Sequence, residues 1–388
     1  MANTLTSLIP DLYEAMDVVS REMVGFIPSV SMDSNAERAA VGQNVRSFVA
    51  PASTASDITP GVTPPDDGDQ TIGNIIMQIT KARRVPIRWN GEQTLGVNNG
   101  GPGMQAIKIQ QMAQAMRTLT NEIEADLAGL HVASSRAYGT ATTAPFASDL
   151  SDPAQVRKIL SDNGAPLTDL QMVINTTAGA KLRTLAQLNK ANEAGDSTML
   201  RQGVLLDIHG FAIRESAQVK RPAAGAMASA TTTNAALTVG QTALPLATAG
   251  TGVVAAGDII TLANDANKYV VASVAFAGAN PAAGDIVTIA APGLQMAQTA
   301  ATRAITVVAV SSRNMAFAKS SIVLATRMPA LPDGGDLAID RTTITDPRSG
   351  MSFEVAMYAQ YRQMQYEICA AWGVKCVKTE HNVILLGD

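Results

Sequence analysis

The chain has 388 residues, 16% of them charged and 4% aromatic, with a formal net charge of -4. That length exceeds what a single hydrophobic core fills, so more than one domain is expected, and the slightly acidic balance supplies no basic field for neutralising phosphates, which argues against a sequence-reading DNA-binding protein. Cys369 and Cys376 cannot make a disulfide framework, His131, His209 and His381 are too scattered for a local metal site, and no apolar run is long enough for a membrane-spanning helix. With no secretory pattern at its start, the chain is expected in a reducing cytosol. Small side chains and few charges suit close contacts between subunits.

Residues 1–43 read as an N-terminal arm. Leu12, Met16, Val19 and Met23 fall on one face of a helix over 11–23, bracketed by Pro10 and Pro28. Asp11, Glu14 and Asp17 form an acidic strip on another face, either a solvated surface or a docking strip for a basic partner. Residues 44–97 read as a long β-hairpin, with an outgoing limb "NVRSFVAPAS", a turn-rich "TPGVTPPDDGDQ" and a returning "TIGNIIMQITKARRVPIRW". Asp66, Asp67 and Asp69 lie at its tip, and Lys81, Arg83, Arg84 and Arg88 on its returning limb. Two isolated strands are marginal in water, so this projection is expected to lie against another subunit.

Residues 98–140 open with the breaker cluster "NNGGPG" and continue as a long helix over 104–131. Its apolar stripe is Met112, Met116, Leu119, Ile123, Leu127 and Leu130, read as core rather than as a ligand groove; Glu122, Glu124 and Asp126 lie mostly off it. Residues 141–221 are mixed α/β. The segment "DPAQVRKILSDNG" predicts a helix started by Asp152 and ended near Gly164, and "LQMVINTTAGAKLRTL" predicts a strand running into a helix. At that junction Asn175, Thr176 and Thr177 read as a helix cap, with anion binding as the alternative. "GFAIRESAQV" reads as a further strand.

Residues 222–314 change character: charges nearly vanish, and short alternating runs "ALTV", "ALPLA", "GDIITLA", "KYVVASV", "GDIVTIA" and "AITVVAV" predict a small all-β barrel or sandwich, self-contained and without a cofactor. Gly250, Gly252 and Gly257 do not match the dinucleotide fingerprint, and no helix pattern follows them. Asp258 and Asp285, each after a glycine at equivalent turns, are expected to bond the backbone there. Residues 315–388 return to the mixed body, with a strand "SFEVAMYAQY", a helix-like "YRQMQYEICAAWGVKCV" and a closing "KTEHNVILLGD". Cys369 reads as an ordinary packed residue, and the sequence presents no catalytic constellation.

This order of parts resembles the major capsid (coat) proteins of tailed double-stranded DNA bacteriophages, most closely the short-tailed phage type with an inserted β-barrel. The local similarity rests on Gly257-Asp258-x-Ile260, on Phe317-Ala318 leading to Ser321-Ile322 and Pro329, and on Trp372-Gly373-Val374. The resemblance implies an α+β capsid fold with N-arm, extended loop, spine helix, peripheral and axial domains, and an inserted barrel. It further implies a non-enzymatic subunit without cofactor or metal, assembling as pentamers and hexamers into an icosahedral shell around double-stranded DNA held without sequence specificity. A scaffolding protein, met by Asp11, Glu14 and Asp17, and a portal protein are its implied partners, first in the host cytoplasm and then in the virion capsid. Asp66, Asp67 and Asp69 would meet Lys81, Arg83, Arg84 or Arg88 between subunits. A bacterial cargo-enclosing nanocompartment shell is the alternative, and an unrecognised α/β enzyme a third reading.

Overall fold

The computed structural model describes residues 25–49, 55, 57–58, 60–63, 73–100, 104–189, 207–248, 250–278, 281–345 and 350–388. The chain enters through α1 (Phe26–Ser29) and β1 (Ser31–Ala39), continues into a ribbon of β2 (Asn44–Val49) and β3 (Gly73–Gln78), and reaches β4 (Lys81–Asn90). Helices α2 (Gly91–Gly100) and α3 (Met104–Gly129) follow, then β5 (Arg136–Tyr138), α4 (Ser151–Asp162), β6 (Leu170–Ile174), α5 (Thr176–Thr184), α6 (Ala186–Asn189) and β7 (Phe211–Glu215). Six short strands come next: β8 (Thr231–Thr232), β9 (Ala243–Thr248), β10 (Ile259–Leu262), β11 (Lys268–Ala275), β12 (Ile286–Ile289) and β13 (Ile305–Val307). The chain closes with β14 (Ser312–Ala318), β15 (Ile322–Pro329), β16 (Ala338–Thr345), β17 (Ser352–Gln360), β18 (Gln363–Cys376) and β19 (Asn382–Gly387).

The fold is α+β. Among the described residues, one sheet runs β1-β15-β18-β17-β16 with β4 also paired to β18, and a second runs β7-β6-β14-β19-β5-β11-β12-β9-β8. Helix α3 lies between them. Its stripe Met112, Met116, Leu119, Ile123 and Leu127 is buried against Ile368, Ala370 and Trp372 of the first sheet and Val173, Met315 and Phe317 of the second. The 3.6-residue period of that stripe thus does the work expected of it, joining two sheets through one core.

The helix-like segment after Tyr361 is instead the strand β18. Its true period is two: Tyr366, Ile368, Ala370 and Trp372 face the helix core, while Glu367, Cys369 and Ala371 face the other side. Both faces are largely buried, which blurs the alternation. The returning limb of the hairpin is also divided. Only β3 pairs with β2, from Asn44↔Gln78 to Val49↔Gly73. At Ile79 and Thr80 the strand changes partners: Ile79 N–H donates to the Gln43 carbonyl and Thr80 N–H to that of Trp372, each at 3.0 Å. Then β4 pairs with β18, from Lys81↔Trp372 to Asn90↔Gln363. A Cβ on Gly373 would overlap the Gln78 carbonyl, so glycine is required where the strand passes.

Two smaller expectations shift. Residues 91–100 are helical, running from the end of the expected hairpin into the breaker cluster, and α4 starts at Ser151 after Leu150, which offers no side-chain cap. Asp152 does not cap it; its carboxylate accepts the Phe146 N–H at 2.8 Å, so it holds the preceding loop instead. Gly164, at φ 73°, ends the turn after the helix as expected.

The β-rich segment has a core of its own, including Leu244, Leu246, Ile260, Leu262, Tyr269, Val271, Val287 and Ile305. "ALTV" contributes a single bridge, Leu237↔Gln298, and no strand; β8 takes the predicted sixth place. Pairings run β8-β9-β12-β11-β10-β13, and the bridge Thr231↔Ala304 links the two ends. The segment is not separate, however: β11 pairs with β5 of the body through Lys268↔Ala137 and Tyr269↔Arg136, so one sheet runs through both. The body resumes at Ser312, whose strand pairs with β19 and β6, a little before the expected boundary at 315.

Arg313 marks this junction. It is buried, its backbone N–H donates to the Lys220 carbonyl at 2.9 Å, and none of its guanidinium nitrogens has a hydrogen-bond partner among the described residues. Burial pushes its pKa down to about 10, with Asp258 opposing. Replacing a buried charge by an apolar residue of similar volume is often neutral or stabilising by about 1–4 kcal/mol. Arg313→Met is therefore expected to match or exceed the native melting temperature, measured by circular dichroism; a clear drop would mean that the guanidinium is satisfied in solution.

Candidate functional site

The ribbon is the candidate surface. Its root packs in a small core of Ala39, Met77, Ile79, Ala325 and Ala371, whereas Ile58 and Val62, in the segment joining its strands, are almost fully exposed. Asp66, Asp67 and Asp69 lie outside the described residues, as do Asp11, Glu14 and Asp17 and the helix expected over 11–23.

The cations of β4 are placed, and most have partners within the chain. Lys81 Nζ lies 2.7 Å from Asp126, Arg83 Nε lies 3.6 Å from Glu122, and Arg84 pairs with Glu367. Arg88 meets no carboxylate among the described residues. With Trp89, Gln93, Gly96, Val97 and Gln111 it lines a groove of about 360 Å³, where Trp89 Nε1 donates to Gln111 Oε1 at 2.8 Å. Of the basic residues singled out in the sequence, Arg88 is the one left for an outside acceptor.

The segment around α1 is fixed to the body by Glu124, one of the acids that lie off the apolar stripe of α3. Its buried carboxylate accepts the backbone N–H groups of Phe26 (3.2 Å) and Ile27 (3.0 Å) and the Ser216 hydroxyl (3.1 Å). Burial raises its pKa, against the lowering effect of those bonds. Ser29 Oγ donates to the Gly25 carbonyl at 2.7 Å and accepts from Arg214 at 3.1 Å, closing the same root. A polar residue between two stripe positions, Ile123 and Leu127, was the available signal.

Asp258 and Asp285 act as expected. Asp258 accepts from Ala255 N–H (2.7 Å) and Gly225 N–H (3.1 Å); Asp285 accepts from Ala282 N–H (2.7 Å) and Ala277 N–H (3.1 Å). Each closes a turn whose third residue, Gly257 at φ 88° or Gly284 at φ 92°, is in the left-handed region that favours glycine. Asn175 caps α5, accepting from Ala178 N–H at 2.9 Å. Burial, then nearby Glu367 and Glu354, pushes the Cys369 thiol up to about 12, and burial pushes that of Cys376 up to about 11, environments that disfavour the thiolate. Among the described residues no group of three or more His, Cys, Asp or Glu converges as a metal site would require.

No family model matches the chain, and no curated protein matches it. Among solved structures it is similar to one of Mycobacterium phage Che8, at 12% identity over 94% of this chain and 92% of that chain, with a TM-score of 0.46. The capsid structure of cyanophage P-SCSP1u gives 10% identity, 92% and 86% coverage, and a TM-score of 0.47. A virus-like particle from Pyrococcus furiosus gives 8% identity, 97% and 99% coverage, and a TM-score of 0.45.

Two predictions follow from this geometry. Because Glu124 has a raised pKa in the fold, the folded chain holds its proton more tightly than the unfolded chain, and this contribution to stability declines as pH rises through the folded value. The stability of the native chain relative to Glu124→Gln should therefore fall as pH rises from the ordinary carboxylate range through the raised folded value. Thermal melts across that range check it, and a constant difference would contradict it. Asp258→Ala and Asp285→Ala each strand two backbone donors and should cost about 2 kcal/mol, read from denaturant unfolding.

Proposed function

We propose that the chain is a shell-forming subunit, the major capsid protein of a tailed phage, with no chemical step of its own. The ribbon carries this reading. A two-stranded projection with Ile58 and Val62 bare to solvent is not stable by itself, and the same apolar positions become useful once another copy covers them. In this reading residues 104–131 are the spine helix, and residues 222–314 form an inserted small barrel of the short-tailed phage type. The subunits would meet as pentamers and hexamers in an icosahedral shell, assembled on a scaffolding protein in the host cytoplasm and filled through a portal with double-stranded DNA bound without regard to sequence. Asp66, Asp67 or Asp69 of one copy would meet Arg88 of another, which meets no carboxylate among the described residues; Lys81, Arg83 and Arg84 are already paired within the chain.

Coexpression with the scaffolding protein encoded beside it should yield closed shells in negative-stain images; only monomers or small oligomers would refute the reading. Reversing Asp66 and Asp67 to Lys, or Arg88 to Glu, should lower shell yield, and more so at low salt, since exposed pairs are worth about 0.2–1 kcal/mol each and are screened. An unchanged yield at both salt levels would mean that these charges are only solvated. Neutralising Asp11, Glu14 and Asp17 to Asn or Gln should reduce scaffold content in the precursor shells without changing the melting temperature of the free subunit. Equal scaffold content would remove the docking role.

A further inference from the structure

One end of the first sheet presents apolar side chains on a fixed backbone. Leu337 and Tyr361 are each 89% exposed, and Leu95 and Ile339 are exposed beside them. Neither large residue sits on a loose segment. The loop before β16 is pinned by Asp336, whose carboxylate accepts from Ala338 N–H (3.0 Å) and the Tyr358 hydroxyl (2.8 Å) and pairs with Arg341; Gly335 N–H also closes on the Pro332 carbonyl at 3.0 Å. Tyr361 occupies the tight turn between β17 and β18, directly beyond the pair Gln360↔Gln363. The Arg362 carbonyl in that turn accepts the Gly91 N–H at 3.3 Å, which brings α2 and Leu95 to the same end.

Two opposite charges flank these apolar groups. Asp333, in the pinned loop, and Arg362, in the hairpin turn, are both exposed, and neither meets an opposite charge among the described residues. We propose that this end of the sheet is a self-complementary contact between copies of the chain, with Leu337 and Tyr361 covered by a second copy and Asp333 of one copy paired with Arg362 of the next. A partner of a single charge sign would satisfy only one of the two ions. A second copy of the same end satisfies both, and lays apolar surface on apolar surface. Large side chains already held in place lose little freedom on docking, and a tyrosine ringed by polar groups is a common energetic centre of an interface. The proposal rests on the shell reading only in that copies of the chain meet; it adds which end of the sheet they meet through.

The test uses the full chain carrying Asp333→Cys in one preparation and Arg362→Cys in another, mixed under assembly conditions and oxidised. A disulfide joining residues 333 and 362 of different copies, identified by mass spectrometry, is expected at least tenfold above the 333–333 and 362–362 disulfides that either preparation forms alone. Both substitutions are at exposed positions, so folding is preserved. In parallel, Asp333→Arg and Arg362→Asp should each reduce association severalfold, and the double reversal should restore it. Shells that form without the 333–362 cross-link, and without response to either reversal, would overturn this contact and leave the shell reading standing. Native protein that forms no shell, while the two cysteine variants still cross-link in concentrated solution, would sustain the contact and remove the shell reading. Neither shells nor cross-links would overturn both.

Discussion

Three carboxylates on α3 set the arrangement of the rest. Glu122 and Asp126 are four residues apart and so share one face, while Glu124 points to nearly the opposite side. On the first face Glu122 meets Arg83, and Asp126 takes both Lys81 Nζ and the indole N–H of buried Trp372, at 2.7 and 2.9 Å. On the other, Glu124 grips the first N–H groups of α1 and the Ser216 hydroxyl. One helix thereby fixes the sheet strand continuing from the ribbon and, through a separate face, the root of the N-terminal arm. The apolar stripe supplies the adhesion. The two hydrogen-bonded acids, Glu124 and Asp126, add register, since each holds its own partners on a separate face of the helix.

The ribbon inherits its direction from that register. Because β4 is paired with β18 over its whole length and Lys81 is also bonded to α3, β4 is held in register, and β3, its continuation, leaves the sheet at Gly373, where the absence of a side chain gives it room. A projection launched from a fixed strand has a defined angle, which a flexible tether would lack. That is the property a subunit needs if its extension is to reach a neighbour reproducibly in the proposed shell.

The parts legible in the sequence were those governed by local chemistry. The stripe of α3, the Gly-Asp turns and the Asn175 cap all depend on residues within a few positions of one another. What the sequence hid depended on distant partners. β18 reads as a helix because burial on both faces replaces clean alternation with a nearly continuous apolar run, and only pairing with β4, β15 and β17 reveals its period. The division of the returning limb at Ile79 and Thr80 has no local mark either, because its cause, Gly373, lies almost three hundred positions away. Lys81, Arg83 and Arg84 looked available for another subunit for the same reason: Asp126, Glu122 and Glu367 become their neighbours only after folding.

The β-rich segment handles charge in the opposite way from the sheet end that carries Asp333 and Arg362. From Pro222 to Ser311 its acids are Asp258, Asp265 and Asp285, and its bases Lys268 and Arg303. Asp258 and Asp285 are committed to backbone N–H groups, Asp265 accepts from Asn267 N–H and the Tyr269 hydroxyl, Lys268 donates to the Gly139 carbonyl, and Arg303 donates to Thr299. Charge here is spent on shaping turns and on the seam with the body, and the outer surface is left to neutral side chains, including the exposed apolar groups of Val239, Val253 and Met296. Such a surface exerts little field beyond itself, so its encounters depend on shape and apolar contact and are nearly indifferent to salt. Salt-sensitive recognition therefore falls to the body, where Arg88, Asp333 and Arg362 meet no opposite charge among the described residues, while the β-rich segment joins the body where β11 extends the body's own sheet.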